Sequence, residues 1–197
     1  MKIDYISVNN IRESILASAL PMSKKIGFNP NDMELEKSDI KRGIKLGSVK
    51  NGTGHDCFLK GITVFMIITA PEYWWKQWER YSFQDTVSST SSMHKILEFN
   101  LNDILDDDIY PETKSRLQED IKLYKHWENK DKEKAKHIWE RIIKNIPMDM
   151  KYTRAVTTNY LQLKTMYKQR KNHKLDEWQD FINFLEELPY FKEFIKE

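Results

Sequence analysis

Residues 62–81 read ITVFMIITAPEYWWKQWERY. From Gly61 to Thr69 the chain is dense in Ile, Val, Phe and Met, the composition of a strand buried in a sheet. Ala70-Pro71 closes it, because Pro71 has no N–H for a ladder and its fixed φ suits the first position of a helix. Pro71 to Tyr81 is therefore read as a helix, and it packs Tyr73, Trp74, Trp75, Trp78 and Tyr81 into eleven residues. That cluster covers more than one helical face, so part of it is expected to meet something beyond a single core stripe. Gln77 and Arg80, three residues apart, share a face of the same helix.

Outward from this unit, Lys2 to Val8 alternates as a short strand. Asn9 or Asn10 then caps a helix carrying Ile11, Ile15, Leu16 and Leu20, which Pro21 stops. Met22 to Leu35 has Gly, Asn-Pro and Asn-Asp turn chemistry, and Ser38 opens a helix that Asn51-Gly52 ends. On the other side, Gln84 to Ser92 has many hydroxyls and little periodicity, which reads as a loop or a distorted helix end. Leu105 to Pro111 is an acidic irregular stretch. Helices are expected over Thr113 to Glu128, Asp131 to Asn145, Met148 or later to Gln169, and Leu175 to Leu188, with a short tail helix after Pro189. No internal repeat and no linker divides the chain, so residues 1–197 are read as one α+β domain: an antiparallel sheet with a helix-rich C-terminal half.

Composition narrows the function. With 40% hydrophobic and 12% aromatic residues in 197, the chain can bury a core and is not disordered. Its longest apolar run, Ile62 to Ile68 with Thr63 inside it, is seven residues where a membrane helix needs about 20. The polar start, MKIDYISVNN, lacks the apolar stretch of a secretion signal, so a cytoplasmic location is expected. The lone Cys57 excludes an internal disulfide framework, and a net charge of +2 gives no footprint for duplex nucleic acid. The strong preference for Lys over Arg suggests an AT-rich, phage-like source. Seven basic residues are arginine: Arg12, Arg42, Arg80, Arg116, Arg141, Arg154 and Arg170.

Few groupings carry chemistry. His55, Asp56 and Cys57 adjoin, but adjacency alone makes neither a zinc site nor an activated thiol, and no metal is expected. His126 and His137 are separated by a helix break. Asp106, Asp107 and Asp108 read as an acidic turn, since neighbouring acids on a loop point apart. The Lys-rich segment from Lys122 to Lys136 is interleaved with acids, as on a solvated helix face. The stretch from Gln77 to Ser92 is the strongest candidate: Arg80 beside Ser88, Ser89, Thr90, Ser91 and Ser92 supplies a guanidinium and hydroxyls suited to phosphate oxygens. The competing reading is a Ser-rich surface loop beside an aromatic core helix.

These residues resemble the flavin-dependent thymidylate synthases. Members of that family carry a Gly-His pair before a strand ending in Ala-Pro, as Gly54-His55 and Ala70-Pro71 do here. They continue Gln-Trp-x-Arg-His-Arg, seven residues, Ser, one residue, Arg. The same frame reads Gln77-Trp78-Glu79-Arg80-Tyr81-Ser82, seven residues, Thr90-Ser91-Ser92. A second block, Pro147 followed by TTNYLQLKTMYKQR, is similar to the family's late segment, with Asn159 and Arg170 eleven apart as the family spaces its Asn and its substrate-activating Arg.

The resemblance implies a pyrimidine deoxynucleotide ligand, dUMP in the family, with FAD as cofactor, a folate carbon donor and a homotetramer with sites at subunit interfaces. Residue by residue it implies that Gln77, Arg80, Ser88, Ser89, Thr90, Ser91, Ser92 and Arg170 bind substrate. Arg170 also activates it, and His55, Arg80, Tyr81, Ser82 and Asn159 approach the flavin. Tyr81, Ser82 and Ser92 replace the motif's His and two Arg, and Gly61 replaces another family His. His173 to Trp178 only loosely echoes the His-Ala-Gln-Trp-Glu that follows the late Arg. Each missing charge-assisted hydrogen bond is worth about 1.5–3 kcal/mol. Two outcomes follow: an altered ligand with weak flavin, or an inactive homologue serving as a nucleotide-binding or protein-interaction module.

Overall fold

The computed structural model describes residues 1–24 and 26–196; Lys25, inside the expected turn segment, and Glu197 lie outside them. Four antiparallel strands form one sheet in the order β1-β2-β4-β3, with β1 at Lys2–Asn9, β2 at Thr63–Pro71, β3 at Gln84–Ser89 and β4 at Lys151–Asn159. β2 occupies the middle, with Val64 opposite both Val8 and Thr158. Its side chains alternate: Val64, Met66, Ile68 and Ala70 are buried, while Phe65 and Ile67 face the other side and are only half-buried. Apolar residues at successive positions thus serve both faces, which is why β2 reads as a continuous apolar run.

The buried face is covered by α1 (Ile11–Ala17), α2 (Lys37–Gly47), α3 (Glu72–Trp78), α8 (Tyr160–Arg170), α9 (Asp176–Leu185) and α10 (Phe191–Ile195). Between β3 and β4 the chain makes two one-turn helices, α4 (Ser92–Lys95) and α5 (Leu101–Ile104), then the hairpin α6 (Pro111–Trp127) and α7 (Lys132–Lys144). Asp131 caps α7 by accepting from the Lys134 N–H at 3.0 Å. The hairpin packs a second core of Leu117, Ile138, Ile142 and Met150, which shares Tyr152 with the first.

Two segments differ from their sequence reading. Lys151–Asn159 is a strand, not the start of a long helix. Val156, Thr157 and Thr158 favour the pleated state, and the Asn159 side chain, accepting from the Gln162 N–H at 2.9 Å, caps α8 where the strand ends. Gln84–Ser89 is likewise a strand rather than a loop; it is an exposed edge paired to β4 alone and bulged between Thr86 and Ser88, so no burial pattern marks it.

The aromatic helix also corrects its expectation. Trp74, Trp75 and Trp78 are all fully buried within the chain. Trp74 lies 4.9 Å from Trp178 and 5.7 Å from Phe181, both on α9, so the second face of α3 meets that helix rather than a partner subunit. The close contact of α2 with α10 needs Gly47, where a Cβ would lie 2.7 Å from Phe194.

One buried ion pair fixes α8. Lys164 and Asp56 are 0% and 2% exposed, with Nζ to Oδ2 at 2.8 Å. The same ammonium donates to the carbonyls of Gly47 and Val49 at 2.6 Å each. A buried ammonium with its donors satisfied is tolerated, whereas removing it strands a carboxylate in the interior. Lys164→Met is therefore expected to lower the unfolding free energy by about 3–5 kcal/mol in denaturant titration, and Lys164→Met with Asp56→Leu to recover part of it. A single variant within 1 kcal/mol of the parent (~1, the scale of an ordinary point mutant) would contradict this role.

Candidate functional site

α8 ends on Arg170, its eleventh residue after the Asn159 cap. Its guanidinium meets two residues that α3 and the following turn deliver. Nε donates to the Tyr81 hydroxyl at 2.9 Å, and Nη1 donates to Gln77 Oε1 at 3.1 Å. Gln77 Oε1 also accepts from Trp178 Nε1 at 3.0 Å, and the Trp178 ring lies 4.8 Å from the guanidinium carbon. A cation over an indole face is a favourable contact that also orients the plane.

Arg170 lines an open cavity of about 530 Å³ together with Arg80, Tyr81, Ser82, Gln162, Thr165 and Gln169. α3 ends at Trp78, so Arg80 sits in the turn beyond it rather than on the helical face with Gln77. Among the described residues Arg80 has no hydrogen-bond or ion-pair partner. The acids it could have met, Glu72 and Glu79, bind Arg154 instead, at 2.8 and 2.5 Å. An unpaired guanidinium beside polar amides gives the cavity its character as a receptor for an anion. A second cavity, of about 490 Å³, adjoins at Ser82 and is lined by Asn159, Thr158, Phe65 and Phe83 among others.

The remaining sequence candidates fall elsewhere. Ser88 and Ser89 are exposed on β3, outside both cavities. The Thr90 hydroxyl accepts from the Thr153 N–H at 3.1 Å, continuing the pairing with β4, and the Ser91 hydroxyl accepts from the His94 N–H at the start of α4. Ser92 is the first residue of that helix. His55 and Cys57 are exposed beside the buried Asp56 and make no common site. Asp106 pairs with Lys151, and its N–H donates to Asp149 at 2.7 Å. Among the described residues no group of three or more His, Cys, Asp or Glu could hold a metal, and no helix is long and apolar enough to cross a membrane.

Sequence reasoning missed Gln162, Thr165 and Gln169, although their spacing of three and four residues places them on the Arg170 side of α8. It also missed what Trp178 does. His173 stands next to it, with ring centroids 6.2 Å apart, and accepts from the Leu175 N–H through Nδ1 at 3.2 Å.

Neither a family sequence model nor a curated protein sequence matches the chain. Solved structures do. Two crystal structures of the flavin-dependent thymidylate synthase ThyX from Helicobacter pylori, each with FAD and dUMP, match with TM-scores of 0.68 and 0.65. Each match covers 100% of this chain and 98% of the other, at 14% and 15% identity. The fold is therefore that of the flavin-dependent thymidylate synthases.

FAD, which the resemblance implies, can be tested against the residues present. Asn159 and Tyr81 both reach the cavities; Asn159 Oδ1 accepts at the α8 cap and the Tyr81 hydroxyl accepts from Arg170, which leaves the asparagine Nδ2 and the phenol O–H as donors. Position 61 is a glycine where the family has an imidazole, and a Cβ there would lie 2.5 Å from Ser14 Oγ, so a side chain at this position requires the serine hydroxyl to turn away. A pyrophosphate would meet one unpaired cation, Arg80, along the two cavities. Within one chain a single unpaired cation is thus what these residues offer to hold FAD tightly.

Partial burial first, and Arg170 second, hold the His173 imidazole below its usual range. The folded pKa is depressed, so the unfolded chain takes up this proton first and stability falls as pH drops through the unfolded and then the folded pKa. Melting temperature is expected to fall on acidification below neutral, and His173→Asn to flatten part of that fall. Superimposable pH profiles for the two proteins would show that His173 is not the group responsible.

Proposed function

With the fold of the flavin-dependent thymidylate synthases as the premise, we propose that this chain binds and acts on a pyrimidine deoxynucleoside monophosphate of the dUMP class in the cavity between Arg80 and Arg170. The observation that carries the reading is the pairing of two differently prepared arginines on one cavity: Arg80 without a partner, Arg170 fixed by Tyr81, Gln77 and Trp178. A mobile, unpaired guanidinium suits a phosphate, which it can grip with two parallel donors. A fixed one suits the edge of a planar base, where an oriented N–H draws electron density from a carbonyl and makes the ring more reactive. Gln162 and Gln169 add amides that can both donate and accept. The cavity volume lies within the range of small-molecule sites.

Family resemblance adds a flavin as the hydride source and a folate as the carbon donor, and in this chain the flavin is weakly held. It also adds a homotetramer. The aromatic helix is internal, so the apolar surface for association lies on the sheet face turned away from the helices, where Tyr5 packs on Phe65 at 6.1 Å and remains 52% exposed. Sedimentation at micromolar concentration checks this: a multiple of the monomer mass is expected, and a monomer would exclude a site completed across subunits.

Titration of dUMP by calorimetry tests the site. Arg80→Lys and Arg170→Lys are each expected to weaken binding by about 1.5–3 kcal/mol, because the planar fork is lost while the charge is kept. The melting temperature of Arg80→Lys without ligand should match the parent. Freshly purified protein is expected to show little or no yellow flavin absorbance. No heat with any pyrimidine nucleotide at millimolar concentration would end the nucleotide reading, and a stoichiometric FAD would show that the flavin contacts have been misjudged.

A further inference from the structure

Arginine side chains carry considerable rotamer freedom, and a ligand that must immobilise one loses affinity by that amount. Arg170 is already immobilised, at the last residue of its helix, where little else in α8 would hold it. Of its five N–H donors, the one on Nε is engaged by the Tyr81 hydroxyl and one on Nη1 by Gln77 Oε1. Nη2 has no partner among the described residues, and Arg170 lines the open cavity. The two acceptors and the Trp178 ring come from different elements, the turn after α3, α3 itself and α9, so the guanidinium plane is constrained from three directions.

We infer that Tyr81 is a positioning residue: with Gln77 and Trp178 it holds the Arg170 guanidinium in a preset plane, so that the unpaired Nη2 donors are presented to a carbonyl on a planar ligand. The inference rests on the nucleotide reading for the ligand, but the clamp itself does not. Tyr81 is buried, its ring packs edge-on to Trp178 at 6.4 Å, and among the described residues its hydroxyl's one hydrogen bond is to Arg170. Packing needs the ring alone. The hydroxyl therefore serves the arginine rather than the core, and phenylalanine separates the two roles.

Tyr81→Phe keeps the ring and removes the acceptor. In ¹⁵N-labelled protein the Arg170 Nε–H resonance, assigned by its loss in Arg170→Lys, should show the heteronuclear NOE of an ordered side chain, while that of Arg80 should show a mobile one. In Tyr81→Phe the Arg170 signal should move to the mobile value at unchanged melting temperature. Affinity for dUMP should fall roughly 2- to 13-fold, the factor for re-immobilising one long side chain. In the Arg170→Lys background the same substitution should cost less than about twofold, because the two residues act through one contact. If Tyr81→Phe does not fold, Gln77→Met removes the second acceptor and carries the same expectations. An Arg170 Nε–H as mobile in the parent as in the variant would overturn the clamp, and an equal affinity loss with or without Arg170 would overturn positioning. A parent with an ordered Arg170 that does not bind dUMP would instead leave the clamp and overturn the ligand.

Discussion

The wedge of indoles between α3 and α9 is the contact on which the rest of the site depends. Trp74 touches Trp75, Trp78, Trp178 and Phe181 with ring separations of 4.9 to 5.7 Å. Each such side chain buries about 150–250 Å² and each ring pair adds about 0.5–1.5 kcal/mol beyond that burial. The wedge fixes the distance between two helices that have no sheet hydrogen bonds in common. Tyr73 on α3 adds a hydrogen bond to Glu177 on α9, and burial followed by that bond pushes its phenol well above the usual range. Gln77 and Trp178 project from these same helices, so the geometry of the core sets the geometry around Arg170.

A second anchor acts on α8 from the other side. Lys164 joins that helix to Asp56 and to the carbonyls of Gly47 and Val49, with its charge kept wholly inside the protein. One helix thus arrives at the cavity in a fixed register, and its cap residue Asn159 determines where it starts. The several contacts of Arg170 contrast with Arg80, which stands in a turn past a helix end and has no partner among the described residues. Under the proposed function, the fixed donor would orient the base and the free one would adapt to the phosphate.

The sequence made some of this legible and hid the rest for physical reasons. β2 and α3 could be read because Pro71 separates an apolar run from a helix in a way that few other arrangements allow. β4 was hidden because its one buried face includes Arg154 and Thr158, whose polarity breaks the alternation, and because a helix follows without a break. β3 is an edge strand with no buried residue, so its serines looked like a loop. The Lys164–Asp56 pair spans 108 residues and leaves no local trace. Motif spacing singled out Arg80, Gln77 and Arg170, whereas the contacts of Arg170 with Tyr81 and Trp178 depend on how α3 and α9 pack. The density of indoles suggested exposure to a partner, yet a second helix, not visible as a neighbour in one dimension, accounts for it.

The most direct test of the account is hydrogen exchange measured by mass spectrometry with and without saturating dUMP. Binding between Arg80 and Arg170 should slow exchange in peptides covering 79–85 and 160–171 and leave the α6–α7 hairpin unchanged. Protection confined to that hairpin, or none at a concentration where binding is saturated, would contradict a nucleotide site in this cavity.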